Sequence, residues 1–259
     1  MSGPSALTVS ACIITRNEAD GIAACLESAA WADEIIVTDS GSTDGTPDIC
    51  RRFTPDVLTR DWTGYADQKN FCLSKARGDW ILSLDADERV TPALRDEIRS
   101  EIRTTPWERS GYWIPRRNYL GDVWIRHGGW HPDYQLRLFR RGRGSFRSKR
   151  VHEAVNLNGG TGHLRQPIEH RSFRDLADFH DRIRFYAALA AEDLRERGVR
   201  LPRLQGFLRA PAALIKAYVL RGGFLDGRLG WAMARGRMLE TWWKFQETAR
   251  RPVPVPDAR

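Results

Sequence analysis

A run of apolar residues that ends in two aspartates constrains the fold of this chain more than any other stretch. Trp80–Leu84 is almost entirely apolar, which is typical of a strand buried on both faces in the middle of a parallel sheet. Asp85 and Asp87 follow it directly. Side chains alternate along an extended chain, so residues two apart point to the same side. We therefore expect both carboxylates to face one side at the carboxyl edge of the sheet, where open α/β sheets bind ligands.

Two carboxylates at that edge suggest a metal site. Hard divalent cations take oxygen ligands, and Mg²⁺ often joins one or two carboxylates to the phosphates of a substrate. The alternative for an isolated Asp-x-Asp is a solvated acidic turn before the next helix, since acidic turns are common. The rest of the chain decides between these interpretations.

Strands and helices alternate along the amino-terminal part of the chain. Apolar runs predict four strands, at residues 8–15, 34–39, 56–60 and 80–84. Helical patterns separate them, at residues 21–30, 46–53 and 65–76, and Thr91-Pro92 caps a further helix. This order predicts βαβ units and an α/β fold with a mostly parallel sheet flanked by helices. The Gly-x-Gly-x-x-Gly and Walker-type loops are missing after the first strand, so a glycine cradle for phosphates is not expected.

Four motifs in this part of the chain resemble those of family 2 glycosyltransferases, which have the GT-A fold. They are Ile14-Thr15-Arg16-Asn17-Glu18, Val37–Thr46, Lys69-Asn70 and Ala76–Glu88, in this order and spacing. The resemblance spans residues 8–100 and implies a Rossmann-like sheet. We expect a short tail at residues 1–7 and then a GT-A domain at residues 8–174, with a nucleotide-sugar half (8–108) and an acceptor half (109–174).

The resemblance also implies roles for single residues. Thr15 and Glu18 would line the nucleoside pocket, and Asp39 would contact the base. Asp85 would meet the ribose or the metal, and Asp87 would ligate Mg²⁺ or Mn²⁺. Taken singly, Glu18 and Asp39 could equally be helix caps. The implied nucleotide-sugar contacts are Thr15, Glu18, Asp39, Lys69 and Asp85.

The third metal ligand and the general base are less constrained. His170 is a candidate ligand, and a structural histidine is the alternative, since sequence cannot verify its distance from the aspartates. Inverting transfer needs a carboxylate to take the proton of the acceptor hydroxyl. The Glu-Asp pair of many family 2 enzymes is missing at its usual place, which leaves Glu153 and Asp133 as candidates. We favour Glu153, in a short apolar strand where partial burial would strengthen it as a base, over a salt bridge to a nearby arginine.

Two elements of the second half point to one branch of the family. Tyr134–Arg141 and Val151-His152-Glu153 resemble the branch that includes lipopolysaccharide core β-1,4-glucosyltransferases. The Gln-x-x-Arg-Trp element of processive synthases is missing, which indicates addition of one sugar rather than polymer synthesis. The resemblance implies a nucleotide-sugar donor, UDP-glucose or similar, and an inner-core lipopolysaccharide acceptor.

Charge is divided unevenly along the chain. Residues 1–108 hold 11 Lys/Arg against 19 Asp/Glu, which gives −8, whereas residues 109–150 hold 11 against 2, which gives +9. Residues 195–259 hold 14 against 5 and are again +9. Basic zones favour anionic partners, here an anionic glycolipid acceptor. A generally arginine-rich proteome would explain the number of arginines but not their distribution.

The carboxyl-terminal part is predicted to be a helical appendage at residues 175–249, before a Pro-rich disordered tail at residues 250–259. Its helices, at residues 175–197, at 204–220 and around Trp231–Phe245, carry Trp and Phe beside Arg and Lys, which suits contact with a membrane surface. The alternative is that they only pack on the catalytic domain. Four scattered cysteines and the lack of a signal-like or membrane-spanning segment predict a cytoplasmic protein, peripheral on the inner face of the cytoplasmic membrane.

Two other functions fit parts of these observations. A polyprenyl-phosphate glycosyltransferase would use the same donor half but would need no general base. From another class, a basic nucleic-acid-binding module or a membrane adaptor could use the Arg and Trp surfaces. Known nucleic-acid-binding motifs are missing, so a nucleic-acid partner is not expected. A membrane adaptor would not account for the Asp85 and Asp87 pair.

Overall fold

The structure, a computed structural model, describes residues 7–147 and 154–250. The chain forms two compact units. The first contains the chain up to Tyr119 together with Pro132–Ser172, and the second contains Leu120–His131 together with the chain from Phe173 onward. Residues 1–6, 148–153 and 251–259 lie outside the described residues, and with them most of the two predicted tails and the predicted base Glu153.

Strands and helices alternate through the amino-terminal part of the first unit, as the sequence predicts. The strands of the chain are β1 (Val9–Thr15), β2 (Glu34–Asp39), β3 (Val57–Thr59), β4 (Trp80–Asp85), β5 (Glu88–Val90), β6 (Arg109–Leu120), β7 (Val123–Trp124), β8 (Asp133–Arg140), β9 (Gly144–Arg147), β10 (Ala154–Leu157), β11 (Gly160–His163) and β12 (Ile168–Phe173). The helices are α1 (Ile22–Ala29), α2 (Thr46–Cys50), α3 (Tyr65–Lys75), α4 (Pro92–Thr104), α5 (Leu176–Glu196), α6 (Pro202–Ile215) and α7 (Gly227–Ala249).

The main sheet of the first unit has the order β3-β2-β1-β4-β8-β6-β12-β5. Pairing is parallel among β3, β2, β1 and β4, and antiparallel where β8 joins β4 and β6. β9 and β10 form a separate antiparallel pair. The predicted α/β class is confirmed, with βαβ units in the first half and antiparallel additions in the second.

β4 is the buried central strand that the apolar run predicts. Trp80, Leu82 and Leu84 belong to one core cluster and Ile81 to another, so alternate residues fill the core on both faces of the sheet. The strand ends at Asp85, and the chain turns at residues 86–87 before β5 begins. The extended geometry that we expected to align Asp85 with Asp87 is therefore wrong, because the turn breaks the alternation.

The helix after this turn begins where its sequence predicts. The Thr91 hydroxyl accepts a hydrogen bond from the backbone N–H of Leu94 at 3.1 Å, which satisfies one of the unpaired donors of the first turn. Pro92 occupies the first helical position, where a missing N–H costs nothing. Leu94, Ile98 and Ile102 then recur at helical spacing and are buried against the sheet core, while the Arg/Glu face stays outside.

The second unit is built from α5, α6 and α7 around a small aromatic core. Phe173 and Phe179 pack edge to face with centroids 4.9 Å apart, and Ile125, Ile183 and Met233 complete the cluster of buried residues. The single helix predicted at residues 204–220 is instead α6 followed by a π-helical segment, Lys216–Leu220, and a short 3₁₀ helix, Gly223–Asp226. Asp226 ties residues 120–131 into this unit, since its carboxylate accepts hydrogen bonds from the backbone N–H groups of Arg126 and His127. Among the described helices, none combines the length and the apolar character needed to cross a membrane.

Candidate active site

Three parallel strands bring predicted donor-binding residues to one edge of the sheet. β1 ends at Thr15, β2 at Asp39 and β4 at Asp85. The strand register places Thr15 beside Asp39 and Ile14 beside Asp85, so the three polar side chains follow neighbouring strand ends. Motifs that are far apart in sequence thus meet at the carboxyl edge, where α/β sheets bind ligands.

Asp39 organises the loop that follows β2. Its Oδ2 accepts hydrogen bonds from the backbone N–H groups of Gly41 and Ser42 at 3.0 and 2.9 Å, and Oδ1 accepts from the Ser42 hydroxyl at 2.5 Å. The side chain is almost fully buried. Asp39 therefore shapes this loop, and its predicted contact with a nucleoside base stays a prediction.

The loop after β1 is clamped to the loop after β2. Asn17 has a left-handed backbone (φ 54°) and exchanges hydrogen bonds with Ser42 and Thr43, each at 2.8 Å. The backbone N–H of Glu18 donates to the Thr46 hydroxyl at 2.9 Å. The Thr15 hydroxyl is buried and has no hydrogen-bond partner within the described part of the chain. A buried hydroxyl of this kind suits a ligand contact, because an unpaired polar group is costly.

Asp85 lies between two buried cations. Lys69 Nζ is 2.8 Å from one carboxylate oxygen, and Arg137 donates to the other. Burial alone would raise the pKa of Asp85, but the charges of Arg137 and Lys69 outweigh burial and hold that pKa well below its usual value. Asp85 is therefore ionised at neutral pH, with both oxygens bound within the protein.

Arg137 joins Asp85 to a second buried carboxylate. Its guanidinium also donates to Glu88 Oε1 at 2.7 Å, and Arg116 approaches the same oxygen at 3.4 Å. The backbone N–H of Asp85 donates to Glu88 Oε2 at 3.0 Å. Burial lowers the pKa of Arg137, but Asp85 and Glu88 raise it above its usual value. The result is a buried, charge-balanced network directly beneath the strand end.

Asp133, one of the two predicted bases, is held at the start of β8. Arg116 donates to its Oδ2 through two nitrogens, at 2.6 and 2.9 Å, and Gln135 donates to Oδ1 at 2.8 Å. Burial raises the pKa of Asp133, but Arg116 and the hydrogen bonds lower it overall. A carboxylate stabilised in this way accepts a proton less readily, which argues against Asp133 as the base. Glu153 lies outside the described residues, and its role as the base stays a prediction.

Asp87 pairs with His170 across the neighbouring strands. His170 Nε2 is 3.3 Å from Asp87 Oδ2, and its Nδ1 is 2.7 Å from Asn118 Oδ1. The Asn118 amide nitrogen faces the carboxylate of Asp133 at 3.3 Å, which orients its oxygen toward His170. Nδ1 also lies 2.9 Å from the Ser172 hydroxyl, so two partners hold the ring on this side while Nε2 faces Asp87. Metal-binding histidines are held in this way by a partner on the other ring nitrogen.

The predicted metal ligands fit a divalent cation in part. Asp87 and His170 offer a carboxylate oxygen and an imidazole nitrogen, which suit Mn²⁺ and less well Mg²⁺. Lys69 and Arg137 each contact one oxygen of Asp85, and its predicted contact with the metal stays a prediction. No group of three or more His, Cys, Asp or Glu residues in the described ranges is placed to hold a metal. A bound cation would therefore need ligands beyond this pair.

Three members of this network were not predicted from the sequence: Arg137, Glu88 and Asn118. A signal did exist for the first two. Arg137 interrupts an apolar strand (Leu136, Leu138, Phe139), and a charge in a strand buried on both faces needs a buried partner. Nothing in its local pattern distinguishes Asn118.

Comparisons with known proteins place the chain in a family. A family model described as Glycosyl transferase family 2 matches residues 10–165. The lipopolysaccharide core biosynthesis glycosyltransferase LpsC of Rhizobium meliloti (strain 1021) is 34% identical over 230 residues, which cover 85% of this chain and 82% of that protein. The chain belongs to glycosyltransferase family 2. An uncharacterized glycosyltransferase of Rickettsia felis is 29% identical over 236 residues, covering 85% of this chain and 81% of that protein.

The fold of this family 2 glycosyltransferase is also that of a solved relative. The mannosyltransferase PcManGT from Pyrobaculum calidifontis matches with a TM-score of 0.54 at 17% identity, over 93% of this chain and 87% of that chain. The predicted GT-A fold and the predicted resemblance to lipopolysaccharide core glycosyltransferases are confirmed. The family match contains every predicted site residue except His170, which follows its end.

Proposed function

We propose that this glycosyltransferase is metal-dependent and inverting, and that it transfers one sugar from a nucleotide sugar, such as UDP-glucose, to an anionic glycolipid in lipopolysaccharide core synthesis. The observation on which this rests is the meeting of Thr15, Asp39 and Asp85 at one sheet edge. The Asp87–His170 pair lies in the same unit, and Asp87 follows Asp85 by two residues.

The donor assignment has support from the site and from the family. The Thr15 hydroxyl, which has no hydrogen-bond partner in the described part of the chain, suits a nucleoside contact at the edge of the sheet. The Pyrobaculum mannosyltransferase was solved with GDP-Man and Mn²⁺. A nucleotide sugar and a divalent metal are therefore the expected ligands of this site.

The residues divide the chemistry between them. Asp87 and His170 would hold the metal, which when bound supplies positive charge to the departing diphosphate. Asn118 holds the His170 ring at Nδ1, which leaves Nε2 on the side that faces Asp87. Asp85, ionised and fixed by Lys69 and Arg137, presents a rigid carboxylate to the ribose. Glu153 takes the proton of the acceptor hydroxyl as it attacks the anomeric carbon from the face opposite the leaving group.

The proposed acceptor and location are supported by the charge of residues 109–150 and by the similarity to LpsC. Residues 109–150 carry a net charge of +9, and Arg141, Arg143 and Arg147 are exposed. Such a zone attracts a phosphorylated glycolipid. LpsC is named for lipopolysaccharide core biosynthesis, and we infer a related acceptor here, reached from the cytoplasmic side by an enzyme that binds the membrane peripherally. Family membership leaves the nucleic-acid-binding alternative without support.

The first test measures hydrolysis and binding of a panel of UDP-, GDP- and other nucleotide sugars, with Mn²⁺, with Mg²⁺ and with EDTA. We expect one donor to be bound and slowly hydrolysed only with metal, because the metal neutralises the leaving diphosphate. Asp87→Ala should lower turnover at least about a hundredfold. Asp96→Ala, which removes an exposed carboxylate on α4, is the matched control and should leave turnover unchanged.

Two results would contradict the proposal. Donor hydrolysis that persists in EDTA and in Asp87→Ala would remove the metal from the mechanism. Equal transfer to uncharged and phosphorylated acceptors would remove the charge argument for the acceptor. The polyprenyl-phosphate alternative would gain if Glu153→Gln and Asp133→Asn together left transfer intact, because a phosphate acceptor needs no base.

A further inference from the structure

The helix α6 of the second unit buries its small residues and exposes its large apolar ones, which is the reverse of a normal surface helix. A soluble amphipathic helix buries its large apolar residues and exposes its polar face. α6 instead buries only Gly206 and Ala210. A Cβ on Gly206 would come within 2.8 Å of the Phe245 side chain, so α7 lies directly on this face of small residues.

The large apolar residues of α6 point to the outside. Leu204, Phe207, Leu208 and Ile215 follow the helical spacing of one stripe, and all four are more than half exposed. The exposed apolar surface continues into the π-helical segment and the 3₁₀ helix. We call the whole set the α6 surface, and its members, between 51% and 76% exposed, are Leu201, Leu204, Phe207, Leu208, Ile215, Val219, Leu220, Phe224 and Leu225.

Basic side chains border this surface without acidic ones. Residues 197–225 contain six Lys or Arg and no Asp or Glu. On a helical projection Arg203 lies on one side of the apolar stripe, and Lys216 lies on the other, and both are exposed. Long basic side chains at the rim can lay their apolar stems on the stripe and extend their charges to either side of it.

We propose that the α6 surface is a membrane-binding face that inserts its apolar residues at the headgroup boundary of an anionic bilayer. Apolar residues on one face with cations along the edges are the pattern of a helix that lies in the membrane interface. Anionic headgroups complement the basic rim. A second copy of the chain fits less well, because a symmetric contact would place one basic rim against the other.

This inference deepens the proposed function and rests on it, because an enzyme whose acceptor is a membrane glycolipid needs to bind the membrane surface. It also changes which element contacts lipid. The final helix, which the sequence suggested beside residues 204–220, buries Phe245, Met233 and Ala234, although its Trp231 and Trp242 are exposed. α7 is thus mainly a packing helix, and α6 with its two short extensions supplies the lipid contact.

The test is co-sedimentation of the purified full chain with vesicles of phosphatidylcholine alone or mixed in equal parts with phosphatidylglycerol. We expect binding to the mixed vesicles that weakens as salt is raised. Phe207→Ser/Leu208→Ser should weaken partitioning roughly a hundredfold, about tenfold for each large apolar side chain withdrawn from lipid. The matched control is Phe185→Ser, since Phe185 is 59% exposed on α5 against 66% for Phe207. The control should bind vesicles like the unmodified protein.

A second pair of variants tests the rim. Arg203→Glu/Lys216→Glu should weaken binding to the mixed vesicles at least roughly thirtyfold, because each basic residue near an anionic surface contributes about fivefold. Arg52→Glu/Arg103→Glu makes the same change in charge on exposed residues of the first unit and should have little effect.

Several outcomes would overturn the proposal. One is that the unmodified chain binds neither kind of vesicle. Another is that Phe207→Ser/Leu208→Ser binds the mixed vesicles as tightly as the unmodified chain does. Lipid-free oligomers that this double variant dissociates would identify the surface as a protein interface instead. Donor hydrolysis is measured on the same samples. An unmodified chain that hydrolyses its donor but fails to bind the mixed vesicles refutes this inference alone, whereas an unmodified chain that binds the vesicles but hydrolyses no donor refutes the proposed function alone.

Discussion

Replacing Arg137 tests the buried charge network at its centre. Arg137→Met keeps an apolar side chain of similar length but removes the guanidinium that bonds both Asp85 and Glu88. Asp85 would keep Lys69 at 2.8 Å. Glu88, which is fully buried, would keep only the distant contact with Arg116 at 3.4 Å among its ion pairs in the described chain.

The size of the effect follows from burial. Arg137 is 5% exposed and Glu88 0%, so solvent cannot screen the carboxylate that is left behind. Removing one partner of a buried pair typically costs about 3–5 kcal/mol, because an uncompensated charge stays in the interior. We expect a loss in this range for the first unit, or a fall in melting temperature of roughly 10 °C.

The loss should depend on pH in a defined direction. The pKa of Asp85 is held below its usual value, so its stabilising contribution is present above the unfolded-state pKa of about 3.9 and disappears as pH falls through the lower folded value. Arg137→Met removes part of that contribution. The difference in stability between the unmodified protein and the variant should therefore be largest near neutral pH and shrink below about pH 4.

Hydrogen exchange as a function of urea measures this loss in peptides from β4 and β8 without mixing in the unfolding of the second unit. The companion variant Arg137→Met/Glu88→Leu replaces both charges and should recover more than half of the loss, since apolar replacement of a buried pair is often neutral. A cost below about 1 kcal/mol for the single variant would be that of a solvated surface pair and would refute the buried network. So would a double variant that is no more stable than the single one.

Three further predictions test other parts of the structure. Gly236→Ala places a Cβ 2.2 Å from the ring of Phe179 and should destabilise the second unit by about 1–3 kcal/mol in a urea titration, and full stability would contradict the packing. Asn118→Ala removes the acceptor for His170 Nδ1 and should weaken Mn²⁺ binding by roughly 10–100-fold in a calorimetric titration, with rescue by Asn118→Gln expected to be partial. Asp133→Asn removes a carboxylate whose pKa Arg116 lowers, so its loss of stability at neutral pH should vanish as pH falls below about 4, and a constant deficit would refute that pairing.

The edge of the sheet could be predicted because each of its parts has a local signal. Apolar runs identify β1, β2 and β4, and polar motifs follow each run directly, so strand order alone brings Thr15, Asp39 and Asp85 together. The turn between Asp85 and Asp87 was missed because an apolar run does not show where extension stops. β5 pairs with β12, eighty residues away in the chain, and this long-range pairing fixes the turn.

The partners of the predicted residues were harder to foresee. Arg137 is 52 residues from Asp85 in sequence, and their ion pair depends on β8 lying next to β4 in antiparallel pairing. Sequence periodicity predicts the strand but not its neighbour. The outward face of α6 was missed for a different reason. Periodicity shows that Leu204, Phe207 and Leu208 share a face, but only packing shows that the Gly206 side is the buried one.

The charge balance of the site connects the network to the proposed need for a metal. Each carboxylate of the network forms an ion pair with a cation of the first unit: Asp85 with Lys69, Glu88 with Arg137, and Asp133 with Arg116. Three cations paired with three carboxylates bring little net positive charge to an incoming diphosphate, however close they lie. A divalent ion on Asp87 and His170 would supply the missing charge next to the leaving group. The same ion pairs give Asp85 a fixed position, while Asp87 lies against His170. Under the proposed function the Asp-x-Asp motif would therefore serve two tasks, with Asp85 contacting the ribose and Asp87 holding the metal.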